Sequence, residues 1–329
     1  MDQMLDSIAR KIKEFEVKRQ NVAHGVRGIS GFIKRVKDAD LNCKILGVDG
    51  GFLRKEYHGA NLILRRAVGA CFSFDKNKLK EVSYYPSRKE VPEPLVVSSE
   101  MSDQDFNLIC SFKRMEIEIK TALEALKTLK PDILVMDGSI VMHPSNQVER
   151  GNLLYDSYRG IIGLYKELFE YCSSKGIGLV GAVEDSKSKK VCGHLIDQLK
   201  NGGDILKNST DTLFLYFVLN KGEYTRPMKC SGNFLREVGK FDIYSTYVKC
   251  ADFDRPLRLE FLGDEKLVST MFKISSQGKS YSYPSVLIEA DARAKLKEYE
   301  IAILRDSIAE KLGRSPSLFE LRREVRPWQ

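Results

Sequence analysis

Residues 45–51 read ILGVDGG: an apolar run, a carboxylate, then two glycines. A short continuous apolar run bounded by turn signals has the form of a buried strand. An aspartate at the end of such a strand is costly unless something positive pairs with it. Residues 133–139, ILVMDGS, repeat the arrangement. Taken singly, each Asp-Gly is also a plain turn signal. On adjacent strands of one sheet, however, Asp49 and Asp137 come within several ångströms of each other. Two such carboxylates form a divalent-metal site, because hard oxygen ligands select magnesium or manganese.

Outward from these two stretches, the pattern is that of an α/β protein. Around Asp49, the segments KILGVDGGF, NLILRRAVGACFSF and KEVSYYPS form a predicted strand meander, with a turn at His58–Gly59. Between Met101 and Leu129, Phe106, Ile109, Ile117, Leu123 and Leu126 recur at roughly helical intervals, and Lys130–Pro131 ends the element. DILVMDGSIV then reads as a strand covered on both faces. A helix over 153–174, stopped by Gly176, is followed by another buried strand in GIGLVGAVEDS. Alternation of strand and helix implies a sheet with at least some parallel pairing. Further on, 209–219 is a helix capped by Ser209, Thr210 or Asp211, 239–262 holds two strands around a turn, and 284–312 is helical. At the other end, Met4, Leu5, Ile8, Ile12 and Phe15 give residues 2–24 the form of an amphipathic helix that needs a surface, either its own domain or a second subunit.

With 329 residues, 43% of them hydrophobic, the chain can bury a substantial core. Its net charge of +8 is compatible with a polyanionic partner without requiring one. The seven cysteines are odd in number and include no C-x-x-C pair, so reduced intracellular thiols are expected rather than a disulfide framework or a zinc knuckle. No apolar run approaches the roughly 20 residues of a spanning helix and the N-terminus is charged throughout. A cytoplasmic protein is the expectation.

Other candidate groups lie around the two aspartates. In RMEIEIKTAL, Glu116 and Glu118 are two positions apart and point to different faces of the helix, so only one can look at the sheet edge. VEDSKSKK places Glu184 and Asp185 at a strand end, followed by Lys187, Lys189 and Lys190; it is either a further ligand beside a phosphate-binding lysine or a solvated loop. SYSYPSVLIEADARAKL sets Tyr283 before a proline turn and Asp291 eight residues later. No G-x-x-x-x-G-K-S/T phosphate loop occurs, nor a G-x-S-x-G elbow, and the four histidines form no ligand pattern.

Together these stretches resemble the NurA family of DNA-end-processing nucleases over about residues 40 to 300. VDGG is similar to the family's first motif, RMEIEIKTALEAL to its helix glutamate and LVMDGS to its second aspartate motif. EDSKS, TDTLFLYFVLNKGEYTRP, RPLRLEFLG and YSYPSVLIEADARAK follow in the family's order. The resemblance implies an RNase H-like mixed sheet flanked by helices, with helical extensions at both ends: an N-terminal segment 1–35, a nuclease domain 36–312 and a tail 313–329. It implies that Asp49, Glu118, Asp137 and Asp291 are acidic metal ligands for manganese or magnesium, with Tyr283 as the active-site tyrosine. Asp291 stands where the family commonly has histidine. An oxygen-only ligand there still suits these metals, but an ordinary aspartate is no general acid at neutral pH. Phosphodiester hydrolysis is served by two divalent ions about 3.5–4 Å apart, and Arg65, Arg66, Lys187 and Lys189 are candidates to grip the DNA backbone without reading sequence. The resemblance further implies exonuclease and single-strand endonuclease activity in double-strand-break end resection, a homodimer ringing DNA, and a HerA-type hexameric ATPase as motor. The N-terminal helix and the tail, with Phe319, Leu321 and Trp328, are candidate interfaces.

Two rivals stand beside this. VDGGFLR also resembles the first phosphate loop of an actin-like ATPase, although no second phosphate loop follows. The missing histidine fits a non-catalytic DNA-binding subunit on the same fold.

Overall fold

A computed structural model describes residues 2–57, 60–88, 91–98, 100–199 and 203–313. The turn at His58–Gly59 and the tail residues Phe319, Leu321 and Trp328 lie outside them.

In chain order, helix α1 (Asp2–Arg27) leads to strand β1 (Ile33–Arg35). Strands β2 (Lys44–Tyr57), β3 (Ala60–Asp75), β4 (Lys78–Tyr85) and β5 (Glu93–Val97) follow. Helix α2 (Asp103–Leu129), strand β6 (Ile133–Asp137), helix α3 (Tyr155–Lys175) and strand β7 (Gly178–Val183) form the alternating centre. Next come helices α4 (Lys190–Ile196), α5 (Gly203–Lys207) and α6 (Asp211–Val218), strands β8 (Glu223–Thr225) and β9 (Met228–Lys229), and helix α7 (Asn233–Val238). The remainder is β10 (Ile243–Val248), β11 (Leu257–Leu262), α8 (Lys266–Ser275), α9 (Ser285–Ala294) and α10 (Glu298–Lys311).

The described strands join one mixed sheet in the order β1-β8-β10-β11-β7-β6-β2-β3-β4, with β5 on β3 and β9 on β10. β2, β6 and β7 run parallel, while β3 and β11 flank them antiparallel. One core lies under α2, α3 and α7, where Leu46, Val48, Leu134 and Met136 meet Phe112, Ile119, Phe169 and Phe234. The other lies under α8 and α9, where Ile45, Val135 and Val180 meet Met271, Val286 and Leu287. Alternate residues of the central strands thus feed opposite cores, which explains why those strands read as unbroken apolar runs.

The long helices start and stop where local chemistry directs. Ser102 caps α2 by accepting from the Asp105 amide at 3.1 Å, and Thr210 does the same for α6. Gly176 ends α3 in the left-handed conformation, with φ of 66°. The tail expected as one helical stretch is two helices, interrupted at Lys295–Lys297.

Asp49–Gly50 is not a turn. β2 continues through it to Tyr57, with Asp49 opposite Val68 and Gly51 opposite Arg66 of β3. The glycines are there for close packing on both faces. A Cβ on Gly50 would come within 2.6 Å of Glu118 Oε1 of α2, and one on Gly51 would fall on the Ala294 carbonyl oxygen of α9. By contrast Gly138 is a true turn, with φ of 89°.

The second half of α1 docks on the body: Ala23 and Val26 are buried with Leu195, Phe214 and Leu215, and β1 pairs with β8. Its first half does not. Met4, Leu5, Ile8, Ile12 and Phe15 all remain exposed.

Candidate active site

β6 pairs with β2 only from Ile45–Ile133 to Val48–Met136. One step further, Asp49 loses its neighbour on that side and Asp137 is the last residue of β6. Both carboxylates therefore sit at the C-terminal edge of the parallel strands, where open α/β sheets bind their ligands. Glu118 reaches the same edge from the other face of β2, because Gly50 has no side chain to block it.

Arg114 lies among the three acids. Its Nε is 2.7 Å from Glu118 Oε1, and its Nη2 is 3.3 Å from Asp137 Oδ2 and 3.6 Å from Asp49 Oδ1. Tyr283, just ahead of α9, donates its hydroxyl to Asp137 and also lies 3.0 Å from the Ala182 carbonyl of β7. A cavity of about 400 Å³ opens beside this cluster, lined among others by Glu118, Asp137, Ser139, His143 and Glu184.

Burial dominates the electrostatics of the site. Burial, then the neighbouring Asp137 and Glu118, push the Asp49 carboxyl up to about 8. Burial likewise raises Glu118 to about 7, outweighing the stabilising Arg114. Tyr283 is raised by burial and by Asp137, so its hydroxyl stays protonated and donates. Glu116 is the opposite case: although burial works against it, Lys120, Lys113 and Arg65 hold it down at about 2. It is a member of an ion-pair cluster on another side of the helix, and Glu118 is the one that faces the sheet edge.

Three converging hard carboxylates suit magnesium or manganese in donor chemistry. Arg114 is a stand-in cation among them, its guanidinium answering the charge that a metal ion would. Among the described residues, no group of three His, Cys, Asp or Glu is arranged so that it could hold a metal ion.

A buried polar chain fixes the loop after Asp137. Glu260 of β11 accepts from Ser139 Oγ at 2.6 Å and from the Val141 amide at 3.1 Å, and pairs with Arg258. Arg258 reaches Ser186 Oγ at 3.4 Å, Ser186 meets the Tyr247 hydroxyl at 3.3 Å, and Tyr247 donates to Asp211 at 2.9 Å. The EDSKS, TDTLF and RLEF stretches thus form one network that ends on the DGS turn. Sequence inspection missed Arg114 and Glu260. Arg114 had a signal, its i,i+4 spacing to Glu118; Glu260 sits in a strand and had none.

The remaining expected residues differ in burial. Asp291 is exposed on α9, because Val286, Ala290 and Ala294 take the buried side of that helix. Its carboxylate makes no hydrogen bond or ion pair among the described residues. Arg65 and Arg66 are both buried. Arg65 is held by Glu93, Glu116 and the Lys113 carbonyl, and Arg66 by Glu300 and the Lys295 carbonyl. A buried guanidinium needs such partners. Lys187 is exposed in the loop after β7, and Lys189, also exposed, donates to the Lys207 carbonyl at 3.1 Å. In the same loop Glu184 accepts from Tyr281 and Asp185 pairs with Arg255. No helix among the described residues is long and apolar enough to cross a membrane.

A family model for the NurA domain matches residues 43–296. Among solved structures, the chain is similar to the NurA nuclease from Sulfolobus solfataricus, with a TM-score of 0.62 at 14% identity over 99% of this chain and 97% of that one. It is similar to a NurA bound to dAMP and manganese, with a TM-score of 0.58 at 13% identity over 97% and 99%. A NurA with manganese aligns at a TM-score of 0.56 and 12% identity over 94% and 99%. At these identities the likeness is one of fold. No curated protein matches the sequence significantly.

Proposed function

Because the chain belongs to the NurA family of nucleases, we propose that it is a divalent-metal-dependent deoxyribonuclease that hydrolyses phosphodiester bonds at DNA ends. The observation that carries this is the convergence of Asp49, Glu118 and Asp137 on a single cation, Arg114. In this proposal the three carboxylates would hold manganese or magnesium. The chemistry supplied by the bound ion is stabilisation of charge on the phosphoryl oxygens and a lowered water pKa. Tyr283, protonated and buried, orients Asp137 from behind. The Glu260 contacts to Ser139 and Val141 keep the turn after Asp137 from swinging into the cavity. Lys187, exposed beside β7, is the proposed contact to the DNA backbone; Lys189 serves the same strand once free of its carbonyl.

We extend the proposal to exonuclease and single-strand endonuclease action in double-strand-break end resection, in the cytoplasm, with a HerA-type hexameric translocase as motor. A homodimer is proposed through the exposed Met4, Leu5, Ile8, Ile12 and Phe15 of α1, a stripe that needs cover. The test is digestion of end-labelled duplex and single-stranded DNA with manganese, by the wild type and by Asp49→Ala. Loss of label with the wild type alone is expected; an intact label with every metal overturns the enzyme.

A second proposal, a weakly active or non-catalytic DNA-binding subunit, is favoured by one feature. Asp291, where the family commonly has histidine, is exposed and makes no ion pair among the described residues. Asp291→His in the same assay separates the two. Raised activity means that the departure weakens catalysis.

A further inference from the structure

We propose that Arg114 is a built-in occupant of the cation position, holding the three carboxylates together until a divalent ion displaces it. This rests on the metal-site proposal above.

One guanidinium contacts carboxylates from three separate elements, at 2.7 Å to Glu118, 3.3 Å to Asp137 and 3.6 Å to Asp49. Its side chain is 45% exposed, whereas those of Asp49 and Glu118 are 7% and 10% exposed. Arg114 therefore reaches in from solvent toward fixed acids, and its withdrawal leaves the core intact. It also has somewhere to go. A second groove of about 450 Å³, lined by Phe52, Arg54, Asn107 and Ser111, includes Arg114 in its wall.

The exchange follows from charge and donor number. A guanidinium is always charged and planar. It neutralises the cluster, but has no open coordination position to offer a water or a phosphate. The carboxylate oxygens facing it are those that a divalent ion needs, so both cations cannot be accommodated at once. Ion affinity is then reduced by the fraction of molecules in which Arg114 is seated, and removing Arg114 removes that competition.

The test is calorimetric titration of the full chain with manganese alone, without DNA, for the wild type, Arg114→Ala, Arg114→Gln and Asp49→Asn. Both Arg114 variants are expected to bind manganese about tenfold more tightly, equivalent to about 1.4 kcal/mol. They are also expected to melt below the wild type in chelator, with the gap closing at saturating manganese, whereas a merely structural arginine would leave the same gap in both conditions. Arg114→Gln keeps helix propensity and covers the case in which the alanine variant does not fold. Affinity that is unchanged or weaker in the variants, with wild-type binding that Asp49→Asn abolishes, overturns this inference alone. Absence of binding by the wild type overturns the metal site and this inference together.

Discussion

Asp49 and Asp137 end up side by side because β6 stops in register one residue after the Val48–Met136 pair, while β2 continues. The two carboxylates share an edge, and Glu118 closes it from the opposite face. Asp49→Ala is therefore expected to lower nuclease activity by at least about 100-fold, the upper range seen when mere supporting residues of metal sites are lost. Single-turnover digestion under saturating manganese checks it; a variant within a few-fold of wild type would remove Asp49 from the site.

The burial of two of these acids sets a pH dependence. Asp49 and Glu118 hold protons in the metal-free fold up to about 8 and about 7, while the unfolded chain releases them near ordinary carboxyl values. The folded state thus binds more protons between those limits, so metal-free stability falls as pH rises from about 4 to about 8. Asp49→Asn should flatten that slope. Manganese, which prefers the ionised carboxylates, should stabilise more at pH 8 than at pH 5. Melting temperatures across this range with and without the ion decide the matter.

Glu260 is fully buried and answers Ser139, Val141 and Arg258 together. Glu260→Ala leaves Arg258 unpaired and is expected to cost about 3–5 kcal/mol, read by urea unfolding. Glu260→Gln, which can still accept from Ser139 and the Val141 amide, should cost less. Equal losses would mean that the hydrogen bonds to the turn contribute little.

Gly51→Ala would set a methyl group against the Ala294 carbonyl. Overpacking of this kind costs about 1–3 kcal/mol. Since α9 follows directly on Tyr283, displacing it should also loosen the contact to Asp137 and reduce activity. A variant that melts and digests like the wild type would show that α9 shifts freely.

Basic residues should separate by burial. Lys187→Ala is expected to weaken DNA binding across sequences and to reduce the salt slope by about 1, measured by fluorescence anisotropy at several salt concentrations. Arg65→Ala should leave that slope unchanged and lower stability instead, since its guanidinium is held by Glu93 and Glu116.

The linear sequence by itself determined the strand and helix alternation, since periodicity and caps such as Ser102, Thr210 and Gly176 act within a few residues. It also marked Asp49, Glu118, Asp137 and Tyr283 as candidates, through the order of short motifs shared with a family. Only the tertiary structure decided that Asp49–Gly50 is a continuing strand rather than a turn, because the reason lies in helices packed on both faces, from residues far along the chain. It alone separated Arg65 and Arg66 from Lys187, since a cation reads alike in sequence whether a buried carboxylate or solvent surrounds it. And it alone put Arg114 among the acids and left Asp291 exposed, because which side of a helix meets a sheet edge depends on how the layers stack.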